Sequence, residues 1–76
     1  MSKIYTVNEI RNSLESTFGK SIYDIGWIGR KGKIENTDHY DWLVGIYHAN
    51  HVRLVEELFK DAVNIEIRKS GRAFAL

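Results

Sequence analysis

At 76 residues the chain is expected to form a single domain, residues 1 to 76. A chain of this size buries only about 60% of the surface its unfolded form exposes, which leaves little room for both a core and a deep substrate pocket. Its 43% apolar and 12% aromatic content, with no proline, excludes a disordered chain, while the absence of cysteine excludes disulfide staples and thiolate metal sites. The formal charge of +1 supplies no bulk field that would argue for nucleic acid, so any such partner has to be argued from local clusters.

No apolar run is long enough to span a membrane, and the opening MSKIYTVNEI lacks the apolar stretch of a secretory signal, so the expected location is the cytoplasm. Lys3 to Tyr5 is a candidate short strand. Thr6-Val7-Asn8-Glu9 then has the form of a capping box, in which the Thr6 hydroxyl accepts from the Glu9 amide and the Glu9 carboxylate accepts from the Thr6 amide. Val7, Ile10, Leu14 and Phe18 follow at helical spacing, with Gly19 where a left-handed cap belongs. The expectation is a helix over Val7 to Phe18.

In SIYDIGWIG an extended chain puts Tyr23, Ile25 and Trp27 on one side and Ile22 and Ile28 on the other. DWLVGIYHA does the same with Trp42, Val44, Ile46 and His48 against Leu43, Tyr47 and Ala49. The expectation is two paired central strands, apolar on both faces, joined by a long polar loop from Gly29 to Asp41.

Asn50 is a favourable N-cap for a second helix over Val52 to Asp61, whose apolar stripe is Val52, Val55, Leu58, Phe59 and Ala62. VNIEIR alternates strictly, which predicts a strand with Val63, Ile65 and Ile67 inward and Asn64, Glu66 and Arg68 outward. A two-residue turn at Ser70-Gly71 would set Lys69 opposite Arg72, Ile67 opposite Phe74 and Ile65 opposite Leu76, a register in which the apolar sets match. These elements predict an α+β two-layer sandwich in the order (β)αββαββ. Both helices would pack on one face of a three- to five-stranded mixed or antiparallel sheet, and the strand, helix, strand passage would be right-handed if its strands are parallel.

Gly29-Arg30-Lys31-Gly32 combines glycines that let amides approach an anion with two cations, and it resembles the GxxG loop of KH domains, which clamp a single-stranded backbone. That loop joins two helices in KH domains, whereas a strand precedes it here. A glycine-rich hairpin loop is therefore the favoured reading. The order of helix, strand, glycine loop and acidic strand also resembles small nucleotidyltransferases, with WIGRKG in place of the Gly-Ser loop and HYDWLV in place of the carboxylate strand. Asp41 then stands at the second acidic position, Asp38 or His39 at the first and Asn64 at the third. Arg30 replaces the expected serine, so the resemblance implies a degenerate, inactive domain.

No His, Asp or Glu spacing matches a metal-binding pattern: His39, Asp38 and Asp41 lie on the loop, and a break separates His48, expected to be partly buried, from a surface His51. Ser2, Ser13, Ser16, Ser21 and Ser70 carry no nucleophile signature. Neither catalysis, nor a metal, nor a cofactor is expected.

Cations cluster in the expected turns: Lys20, Arg30, Lys31 and Lys33, then Arg68, Lys69 and Arg72. With these loops at one end of the sheet they would form a basic rim beside Tyr23 or Trp27, suited to phosphate contact and base stacking. Glu35, Asp38 and Asp41 share the loop and oppose a polyanion. The sequence thus favours a small non-enzymatic protein-binding module, an accessory, regulator or inhibitor of the kind phage and mobile elements carry, docking as a homodimer or on another protein through its terminal strands. A nucleic-acid-binding domain is the runner-up. In either case Arg30, Lys31, Lys33, Lys69, Arg72 and Trp27 are the residues expected to make contact.

Overall fold

The computed structural model describes residues 2–71, and within them the chain is a small α+β fold of three helices and a three-stranded mixed sheet. Helix α1 spans Val7–Phe18 as its sequence predicts, and both arms of the capping box are formed: Glu9 N donates to Thr6 Oγ1 at 3.1 Å and Thr6 N to Glu9 Oε1 at 3.0 Å. The Glu9 carboxyl is thereby held below its usual range, first by the bond from the Thr6 amide. Gly19 closes the helix at φ 64°, where a side chain would be strained, and its N–H returns to the Glu15 carbonyl.

The expected first strand at Lys3 to Tyr5 is reduced to one isolated parallel bridge between Lys3 and Ala62. Ile22 and Ile25 are core residues, but the segment reaches that position through a single helical turn, α2, Ile22–Ile25, and not as the expected strand. Ser21 makes the difference: its hydroxyl accepts from the Tyr23 amide and starts the turn, which leaves Tyr23 82% exposed.

Strand β1, Gly26–Lys33, therefore begins where the sequence would have it half finished, and it contains the whole of Gly29-Arg30-Lys31-Gly32. It pairs antiparallel with β2, Tyr40–Ile46, through Gly26 with Ile46 to Arg30 with Trp42, and after a bulge through Lys33 with Tyr40. The expected loop from Gly29 to Asp41 shrinks to a turn over 34–39, with Asn36 at φ 64° and Thr37 Oγ1 donating to the Ile34 carbonyl at 2.9 Å.

Helix α3, Ala49–Leu58, starts before Asn50, with His48 as its N-cap and no side-chain capping bond. Strand β3, Ile65–Lys69, lies parallel to β2, Trp42 opposite Ile65 and Ile46 opposite Lys69, which gives the sheet the order β1-β2-β3. Val63 and Asn64 precede this pairing, so the alternation expected of VNIEIR fails at its start: Val63 is exposed and Asn64 is buried. The hairpin expected to pair Lys69 with Arg72, Ile67 with Phe74 and Ile65 with Leu76 needs residues 72–76, outside the described residues.

Ile10 and Leu14 of α1, Ile22 and Ile25 of α2, and Val55 of α3 form one core with Val44 and Ile46 of β2, while Ile28, Trp42, Ile65 and Ile67 pack around it. Side chains alternate along a strand, so all three helices lie against the face of β2 that carries Trp42, Val44 and Ile46. Leu43 and Gly45 face the opposite side. Among the described residues the second face of the sheet is thus free of helix, as expected of helices packed on one side, although β1 and β2 are not apolar on that face throughout.

Candidate binding surface

On the helix-free face, β1 presents Trp27, Gly29 and Lys31, β2 presents Asp41, Leu43 and Gly45, and β3 presents Glu66 and Arg68. Trp27 lies across this face on a glycine platform. A Cβ added at Gly45 would come within 2.2 Å of the indole and one at Gly29 within 3.4 Å, so the ring rests on bare backbone at both positions. Its Nε1 donates to Ser70 Oγ at 3.0 Å, which ties the ring to the far end of β3. The indole is still 36% exposed.

Next to this platform Glu66 accepts from Lys31 Nζ at 2.8 Å and from Arg68 Nε at 2.7 Å. These two bonds, Lys31 first, hold the Glu66 carboxyl below the usual carboxylate range. Two of the cations expected to meet a phosphate backbone thus share one anion. Lys33, at the tip of the hairpin, lies 3.8 Å from the Asp38 carboxylate.

Arg30 is on the helix side of β1, 4.6 Å above the Tyr40 ring, which in turn packs edge-on to Trp42 at 6.0 Å. The expected basic rim does not form as one end of the sheet. Lys33 pairs with Tyr40 at one end of β2, while Lys69 pairs with Ile46 at the other, about 20 Å away along the strands. A parallel β3 forces this, because it carries its C-terminal cations away from the hairpin turn. Arg72 lies outside the described residues.

Of the positions drawn from the nucleotidyltransferase resemblance, Asp41 does lie beside Asn64, and the two line one shallow cavity. Asn64 is 2% exposed and fully engaged with backbone: Oδ1 accepts from Tyr5 N at 2.9 Å, and Nδ2 donates to the carbonyls of Tyr5 and Tyr40, each at 2.8 Å. It is a structural clip with no capacity to ligate. Gly29-Arg30-Lys31-Gly32 is strand and joins no helices, so the KH resemblance does not extend to structure.

His51 packs on Phe18 at 4.6 Å between ring centroids and on His48 at 5.0 Å, and it is His51 that is partly buried and His48 exposed, the reverse of expectation. Among the described residues no group of three or more His, Asp or Glu side chains converges as a metal site would require. No described helix is long and apolar enough to cross a membrane.

Sequence reasoning found Trp27 and Lys31 but missed Leu43, Gly45 and Glu66 as their neighbours. The signal was present as glycines inside an alternating strand, which mark a close approach of another group. No protein-family model matches the chain, and neither the curated proteins nor the solved structures include a match to it.

Proposed function

We propose that this domain is a non-enzymatic binding module that docks on a protein through the helix-free face of its sheet, with Trp27 at the centre. The observation that supports this is the Trp27 indole, fixed on Gly29 and Gly45 by its bond to Ser70 and still open to contact. A rigid aromatic loses little entropy on docking, and Trp and Arg are the residues that dominate binding hot spots. Around it Lys31 and Arg68 already share the Glu66 carboxylate, an arrangement that suits the polar rim of a protein interface. A polyanion instead rewards cations without a carboxylate between them.

The test is capture of partners from a cell lysate on immobilised protein, run beside Trp27→Ala and Leu43→Ala after circular dichroism has established that both fold. A defined protein that is retained by the parent and lost from both variants is the expected result. Nucleic acid is the competing outcome. It is read by Trp fluorescence during titration with mixed single-stranded DNA and RNA, where saturable quenching that weakens steeply with salt would replace the protein partner with a nucleic acid.

A further inference from the structure

We infer that the outer edge of β1 is a strand-addition site for an extended peptide that carries acidic residues followed, about four positions later, by an apolar side chain. This rests on the domain being a protein-binding module and names the chemistry of one ligand and the backbone that receives it. Strand β1 is the end of the sheet, with β2 on one side and no strand on the other among the described residues. Paired residues in an antiparallel ladder alternate between those bonded to the partner strand and those whose N–H and C=O point away. The bond from Tyr47 N to Ile25 O, 3.1 Å, fixes the phase. Trp27 and Gly29 therefore face β2, while Ile28 and Arg30 direct both backbone groups outward, and the Gly26 carbonyl does likewise.

Two features beside this edge select the occupant. At its start lies a cleft of about 240 Å³ whose walls include Val7 and Arg11 of α1, Ile22 and Tyr23 of α2, and Trp27 and Ile28 of β1. It is large enough for one aliphatic side chain projecting from an added strand. Further along, β1 carries Arg30, Lys31 and Lys33 and no acidic residue.

The carboxylates that meet these cations, Glu66 with Lys31 and Asp38 with Lys33, form exposed, solvent-screened pairs, so an incoming carboxylate can exchange with them. A second copy of the chain is a poorer occupant, because its own β1 would bring the same cations to the shared edge. An antiparallel segment with acidic residues first and an aliphatic residue about four positions later satisfies the edge, the cleft and the charges together. Backbone bonds would supply the affinity and the alternate side chains the selectivity.

The experiment is selection from a display library of random heptapeptides on the intact protein, followed by titration of the selected peptides monitored by amide shifts of residues 26 to 33. Expected are acidic-aliphatic sequences that weaken at least tenfold against the double variant Arg30→Glu, Lys33→Glu. They should weaken as much when the peptide amides that face β1 are N-methylated, a change that leaves the protein untouched. Selected peptides that tolerate N-methylation, that lack acidic residues, or that depend on Leu43 and not on Arg30 overturn the strand addition and leave the protein-binding module standing. Concentration-dependent self-association broadening the same amides would assign the edge to a second copy and overturn it equally. Failure to select any peptide, with a protein still captured on the helix-free face, refutes this site alone.

Discussion

Tyr5 illustrates how one buried side chain couples the fold to pH. Its ring packs edge-on against Phe59 at 5.1 Å and its hydroxyl donates to Asp61 Oδ1 at 2.7 Å. Burial first, then the bond and the charge of Asp61, push the phenol up from its ordinary value near 10 to about 12. Between those values the folded chain keeps a proton that the unfolded chain releases, so stability contributed below pH 10 is lost as the pH rises toward 12. The loss falls between the two values and is limited by solvent screening at the hydroxyl. Urea unfolding of the parent and of Tyr5→Phe at pH 8, 10 and 11.5 checks this. The parent should lose its advantage over Tyr5→Phe across that range, and parallel pH profiles would refute the coupling.

At the scale of elements, the contact between Trp27 and Gly45 is where the sheet is most constrained. Ala at Gly45 would drive its Cβ into the indole, expel the ring and break its bond to Ser70, a cost of roughly 1 to 3 kcal/mol typical of overpacking. With Trp27→Ala in place the same change should become neutral or mildly stabilising, because Ala is the better strand residue once nothing lies above it. A double-mutant cycle read by chemical denaturation gives the coupling, and simple additivity of the two changes would remove the platform from the account. Helix α1 was legible to the residue because its capping box and its glycine cap act within a few positions of one another. Strand β1 was not, since GRKGK has neither alternation nor β-branched residues and is held extended by its partner β2. The start of α3 was misplaced for a related reason: Asn50 looks like a cap, but the chain leaving β2 turns at once into helix at Ala49.

For the whole molecule, the parallel placement of β3 decides which side chains can act together, and local sequence patterns carry little of that information. It separates Lys33 from Lys69, brings Glu66 between Lys31 and Arg68, and carries Ser70 to the Trp27 indole. The candidate surface was therefore only half legible: its aromatic and one of its cations stood out, whereas its glycine floor and its carboxylate depended on register. The entry into β3 is also where the ends of the chain are joined, through Asn64 to the backbone of Tyr5, 59 positions away, and of Tyr40, 24 away. Asn64→Ala would leave one amide and two carbonyls without these partners, about 3 kcal/mol when water replaces part of what is lost. Against a typical total of about 5 to 15 kcal/mol for a domain, that loss is global, and in a chain of this size it lowers Tm by about 12 to 24 °C. Asn64→Asp separates the clip from simple packing. Its volume is nearly that of Asn and it can still accept from Tyr5, but it has no amide to donate and sets a carboxylate against two carbonyl oxygens. Calorimetry should find it no more stable than Asn64→Ala, and a melting temperature close to the parent would mean that the shape of the side chain, and not its hydrogen bonds, holds the two ends together.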